Sequence, residues 1–189
     1  MSNRQKRGWD TYTLTAIGVL AAAVYVVTLF RFPLLGSKVH FANALCLLSG
    51  LLLPPLPGGL AAGLGSGLYD VLNGYDPAEA LITFASKFAM AFVCSLIAGV
   101  GKREQPDMKR VLLGVVTGAL TYVALYMLKT FIYQHFIYAY PLDAVWATML
   151  SKLIPSLINA GLSIVAAPIF FRAVWPAVKH ILLGEQKRT

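Results

Sequence analysis

Long apolar runs, broken by short polar punctuation, constrain this chain more than any other feature. The first, from about Tyr12 to Phe32, is about 21 residues, enough to cross the hydrocarbon core of a bilayer as one helix. Further runs extend from about Phe41 to Leu53, Leu60 to Asn73, Ala80 to Val100, Val111 to Tyr133 and Val145 to Phe171. Hydrophobic residues make up 58% of the sequence and charged residues 13%. Soluble domains average about 45–50% and about 25%, so this chain has too little polar surface to cover its apolar residues in water. The expectation is an all-α integral membrane protein, multi-pass in the cell membrane, with residues 1–189 forming a single domain of six transmembrane helices.

The breaks between the runs have their own chemistry. Pro33, Gly36, Lys38 and His40 mark Arg31–His40 as a loop, and PPLPGG at 54–59 reads as a hard turn because proline removes donors and glycine permits tight geometry. GYDPAE at 74–79 is the next turn, GKREQPDMKR at 101–110 a charged loop, and QHFIYAYPLDA an aromatic one. Pro155 and Pro168 are placed to kink the last helix. The basic start, with Arg4, Lys6 and Arg7, looks like a signal peptide's charged end. The run after it is long enough to span and no small-residue cleavage site stands out, so it is expected to stay as the first helix.

The net charge of +8 would suggest nucleic acid in a soluble protein, but its distribution argues for a membrane and against that partner. Six helices put both termini on one side. That side holds Arg4, Lys6, Arg7, Lys102, Arg103, Lys109, Arg110, Arg172, Lys179, Lys187 and Arg188, whereas the other holds Arg31 and Lys38. The positive-inside rule then places the N-terminus (1–10), the 101–110 loop and the basic tail (172–189) in the cytoplasm.

Several ionisable residues fall inside the apolar runs. Lys87 is expected about 11 Å from the outer end of the fourth helix at 1.5 Å per residue, Lys152 about as deep in the sixth, and Asp70 and Lys129 about a turn from the outer ends of the third and fifth. Helical spacing groups them into stripes: Lys152, Ser156, Asn159 and Ser163 on one helix, Tyr122, Tyr126, Lys129 and Tyr133 on another, Thr83 with Lys87, and Ser66, Asp70 and Asn73. Asn43 lies near the outer end of the second helix. Charged groups in lipid are costly and face a bundle interior or a watered cavity. Three lysines against one aspartate suit an anionic or electron-rich ligand with a flat ring, which the tyrosines would stack against. A structural Lys87–Asp70 bridge and a snorkelling Lys129 are the bland alternatives. Gly59, Gly63 and Gly67, four apart, share one face and read as helix packing.

Catalytic signatures are missing from the sequence. It has no GxxxxGK[ST], no HExxH and no GxSxG before a helix, and His40, His135 and His180 are scattered over loops and tail. Cys46 and Cys94 lack metal-ligand spacing and read as small core residues. Neither enzyme activity, a metal nor a cofactor is expected.

GSKVHFANALCLLSGLLLPPLPGGLAAGLGSGLYDVLNGYDPAEALITFASKFAMA, from Gly36 to Ala91, resembles the substrate-binding S components of energy-coupling factor (ECF) transporters, in the riboflavin-type subgroup that also holds members of unassigned specificity. YMLKTFI at 126–132 and SKLIPSLINA at 151–160 share the likeness. The resemblance implies a six-helix subunit that captures a small vitamin or related heterocycle from outside. Uptake is then driven by an ECF transmembrane coupling subunit and two ATPase subunits. It implies a site near the outer surface, and with the polar stripes this nominates Asn43, Asp70, Lys87, Tyr126, Lys129, Lys152, Ser156 and Asn159 for substrate, with residues 33–40 covering the pocket. Family members dock on the partner through small residues of the first helix, here Gly18 and Ala22. Riboflavin, a pyrimidine, pyridoxine and carboxylated vitamins all stay open. The alternative is a small membrane enzyme or scaffold with a structural polar network.

Overall fold

The computed structural model describes residues 11–34, 37–101 and 107–182. Six α-helices run in order: α1 (Thr11–Leu29), α2 (Ala42–Leu52), α3 (Pro55–Leu72), α4 (Pro77–Ala98), α5 (Met108–Ile132) and α6 (Leu142–Leu182). A π-helical turn, Tyr133–Ile137, continues α5. Among the described residues, four helices are long and apolar enough to cross a membrane: α1, α4, α5 with its extension, and α6. The basic residues of the N-terminus, Lys102 and Arg103, and Lys187 and Arg188 lie outside the described residues.

Several boundaries differ from the sequence expectation, among them the starts of α5 at Met108 and of α6 at Leu142 and the π-helical turn in the aromatic loop. Residues 31–40 form an antiparallel hairpin rather than a loop, β1 (Arg31–Leu34) with β2 (Ser37–His40), in the register Arg31↔His40 and Phe32↔Val39. The PPLPGG segment is not a turn throughout: α3 begins at Pro55, where a proline at the first helical position loses only an N–H that has no helical partner. The last helix does not stop near Phe171 but runs on to Leu182 through Pro155, Pro168 and Pro176, so Arg172 and Lys179 are helical rather than part of a tail.

Local chemistry sets the other ends. Asp76 caps α4, its carboxylate accepting from the Ala78 N–H at 2.8 Å, and Pro77 follows at the first turn. Gly99 closes the same helix with φ 74°, a left-handed position that glycine takes without strain. Because α4 starts at Pro77, Lys87 lies ten residues in, about 15 Å from that end rather than about 11 Å.

Helix α2 is the centre of the bundle. Every residue in it except Leu45 is buried, as expected for a helix apolar on all sides. It runs parallel to α4, and Gly50 brings the two backbones together, where an added Cβ would collide with the Ala91 carbonyl. Cross-links fix the register. The Lys87 ammonium donates to Asn43 Oδ1, and Ser95 Oγ donates to the Leu53 carbonyl at 2.8 Å. Asn43 therefore stands level with Lys87. The first nine or so residues of α4, about 13 Å of helix, rise beyond the start of α2. Gly59, Gly63 and Gly67 all face α4, with added Cβ atoms falling 2.8 Å from the Phe88 ring, 3.0 Å from Phe84 and 3.1 Å from Phe84.

Candidate functional site

The short α2 leaves a layer without a central helix, and a cavity of about 410 Å³ occupies it. Of α2, only its first residue, Ala42, reaches the lining. The remaining wall comes from one end of every other element: Thr28 of α1, the hairpin, Ser66 to Asp70 of α3, Glu79 to Lys87 of α4, the end of α5 and the first part of α6.

Asp70, Lys87, Tyr126, Lys129, Lys152, Ser156 and Asn159 all line this cavity. Asn43 does not. It is buried behind Lys87 and holds that ammonium in place. The further stripe members Tyr122, Tyr133, Thr83 and Ser66 also reach the lining. Ser163 does not; its hydroxyl donates to the Ala160 carbonyl. Asn73 closes the end of α3, its amide donating to the Tyr69 carbonyl at 2.8 Å.

Two pairings correct the sequence picture. Lys87 does not bridge to Asp70; its ammonium lies 3.5 Å from the Tyr122 ring centroid as well as on Asn43. A cation over an aromatic face is worth about 2 kcal/mol when desolvated. Asp70 shares the cavity wall with Thr83. Lys129 pairs with Glu79 at 3.0 Å, the one ion pair among the described residues. Glu79 is thus a second carboxylate of the wall. Reading α4 from Ala80 leaves it in the turn, whereas the helix from Pro77 aligns Glu79, Thr83 and Lys87 four residues apart.

The hairpin contributes Arg31, Lys38 and His40. Asn159 of α6 clasps it with both ends of its amide: Oδ1 accepts from the His40 N–H at 2.9 Å, and Nδ2 donates to the Lys38 carbonyl at 2.7 Å. On the other side the Tyr75 hydroxyl accepts from Arg31 at 2.9 Å and from Lys38. Burial pushes the Tyr75 phenol up, but the two hydrogen bonds and the two charges outweigh it and leave the group below its ordinary value.

Burial, then the charges of Lys87, Arg31 and Lys38, lower the His40 pKa from 6.5 to about 3. Its Nδ1 is buried with no partner among the described residues. Between these values the unfolded chain binds the extra proton, so stability is full above about pH 6.5 and is lost as pH falls toward 3. The melting temperature of the protein should fall on acidification from about pH 7 to about pH 4.5, and His40→Gln should flatten that slope. An unchanged slope in the variant would remove His40 as its source.

The family model described as the ECF-type riboflavin transporter, S component, matches residues 8–175. An uncharacterized protein from a gap 3′ region of Pyrococcus woesei is 36% identical over 108 residues, 56% of this chain and 69% of that one. The S component of a bacterial ECF transporter superposes with a TM-score of 0.66, at 16% identity over 88% of this chain and 97% of its own. FolT bound with folic acid gives 0.60, at 22% identity over 83% and 92%. The two structures share the fold. The family match covers most of the sequence, and the chain belongs to the ECF-type riboflavin transporter S-component family: a membrane-embedded, substrate-binding transporter subunit and not an enzyme.

Proposed function

We propose that this S component captures a small vitamin or related planar heterocycle at the hairpin end of its bundle for ATP-driven uptake. The cavity above α2 carries the reading. Its volume of about 410 Å³ falls in the range of small-molecule sites, about 300–1,000 Å³. The stacked Tyr122 and Tyr126 rings, 6.1 Å apart and inclined by 18°, offer aromatic faces beside lysine and asparagine donors. Asp70, Lys87, Tyr126, Lys129, Lys152, Ser156 and Asn159 touch the ligand, and Asn43 orients Lys87.

In this reading all six helices lie in the cell membrane with both termini in the cytoplasm. The hairpin and the cavity mouth face outward, and Lys87 sits about 15 Å down, near the middle of a hydrocarbon core about 30 Å thick. The energy comes from an ECF transmembrane coupling subunit and two ATPase subunits. Mass spectrometry of small molecules released from the purified protein tests the capture: a heterocycle in stoichiometric yield is expected, and a chain that neither carries nor binds one overturns it. Liposomes holding this chain alone should not accumulate that compound; accumulation would mark a self-sufficient transporter.

Gly18 and Ala22 are exposed on α1, and nothing lies within 4 Å of a Cβ added at Gly18. They form the docking stripe for the coupling subunit, since small residues let helices approach closely. Ala22→Trp should therefore cut uptake by the assembled transporter while leaving ligand binding by the isolated chain unchanged. Retained uptake would move docking to another face.

A further inference from the structure

We propose that the ligand is an anion: a planar heterocycle carrying a carboxylate or a phosphate, whose negative charge is taken up by Lys87 and Lys152. The inference rests on the capture reading above and adds the charge of what is captured. Arg31, Lys38, Lys87, Lys129 and Lys152 face the cavity, against only Asp70 and Glu79. Glu79 is committed to Lys129. Arg31 and Lys38 converge on the Tyr75 hydroxyl and have no carboxylate partner among the described residues.

The remaining two lysines show the imbalance most clearly. Lys87 is 4% exposed, and its partners, an amide oxygen and a tyrosine ring, are both uncharged. Lys152 is half-buried on the cavity wall, and its ammonium has no hydrogen bond, ring contact or ion pair among the described residues. Buried charges in proteins are normally paired, and a cavity with low-dielectric walls and one sign of excess charge concentrates the opposite sign. A neutral heterocycle would leave this excess in place. An anion removes it, and Tyr122 and Tyr126 stand on the same wall as the lysines.

Matched probes that differ by the anionic group test this on the intact protein in detergent. Titration calorimetry with riboflavin against flavin mononucleotide varies a phosphate, and nicotinamide against nicotinate varies a carboxylate. Within any pair that binds, the anionic member should be tighter by at least about tenfold. That advantage should shrink as salt rises from about 0.05 to about 0.5 M, and it should shrink again in Lys152→Gln. Lys152 is half-buried at the cavity wall, so its substitution spares the core. A neutral member that binds as tightly as its anionic partner overturns the anion and leaves the capture reading standing, whereas an advantage that Lys152→Gln leaves intact keeps the anion and overturns Lys152 as the group that receives its charge. Failure of every pair to bind, with no heterocycle released from the purified protein, overturns both. The pair that binds distinguishes phosphate from carboxylate.

Discussion

Asn159→Leu is expected to weaken ligand binding by about 100-fold, corresponding to about 2.7 kcal/mol, and to release the hairpin from the bundle. Its strands are four residues each and form a sheet with no third strand, and a lone two-stranded hairpin is marginal in water. Two clasps hold it: the Tyr75 hydroxyl at Arg31 and Lys38, and the Asn159 amide at Lys38 and His40. Leucine removes both bonds of the second clasp and leaves an N–H and a carbonyl unpaired, at about 1–3 kcal/mol for each that stays dry. The hairpin avoids that cost by lifting away, which opens the wall that Lys38 and His40 supply. Hydrogen exchange at residues 37–40 should accelerate together with the loss of affinity. Asn159→Asp separates the two effects: its carboxylate still accepts from the His40 N–H but cannot donate to the Lys38 carbonyl, so hydrogen exchange at residues 37–40 should accelerate less than in the leucine variant. The added negative charge on the wall should itself weaken an anionic ligand. Unchanged affinity in Asn159→Leu would mean that the hairpin is no part of the site.

This clasp also marks the limit of what the sequence reveals. Asn159 is legible as part of a stripe because Lys152, Ser156 and Asn159 repeat at helical spacing, and a polar stripe in an apolar helix must face something polar. Its partners are not legible. Asn159 is separated from Lys38 and His40 by some 120 residues, and the pairing of Phe32 with Val39 that folds 31–40 back on itself leaves no periodic trace in so short a segment. Arg31 and Lys38 therefore read as loop charges rather than as cavity wall. Glu79 is hidden for a different reason: Pro77 looks like a break, yet at the first helical position it is a start. One extra turn of α4 carries Glu79 onto the face of Lys87 and into reach of Lys129. The length of α2 is legible, since PPLPGG bounds the run. Its consequence appears only when Asn43 is found level with Lys87, for that register leaves a layer of the bundle without a central helix.

Lys87→Met should cost about 100-fold or more in affinity without a matching loss of stability, because this lysine opposes folding and serves binding. Lysine at the centre of a membrane helix costs about 2.5–3.5 kcal/mol, and here the ammonium is 4% exposed with only Asn43 and the Tyr122 ring to compensate. Methionine keeps the length of the side chain and removes the charge. It also strips Asn43 Oδ1 of its donor, and Asn43 is 1% exposed, so an unpaired amide oxygen returns about 1–3 kcal/mol of the gain. The single variant should melt close to the parent. Lys87→Met with Asn43→Leu removes both partners, and replacing a buried polar pair by apolar groups is often neutral or stabilising by about 1–4 kcal/mol. The double variant should then melt above the parent while binding no better than the single one. Thermal melting without ligand and calorimetry with it separate the outcomes. If the double variant is less stable than the parent and retains affinity, Lys87 and Asn43 are structural. If stability rises as affinity disappears, the buried charge is kept for the ligand, because its contacts with Asn43 and Tyr122 do not repay its burial.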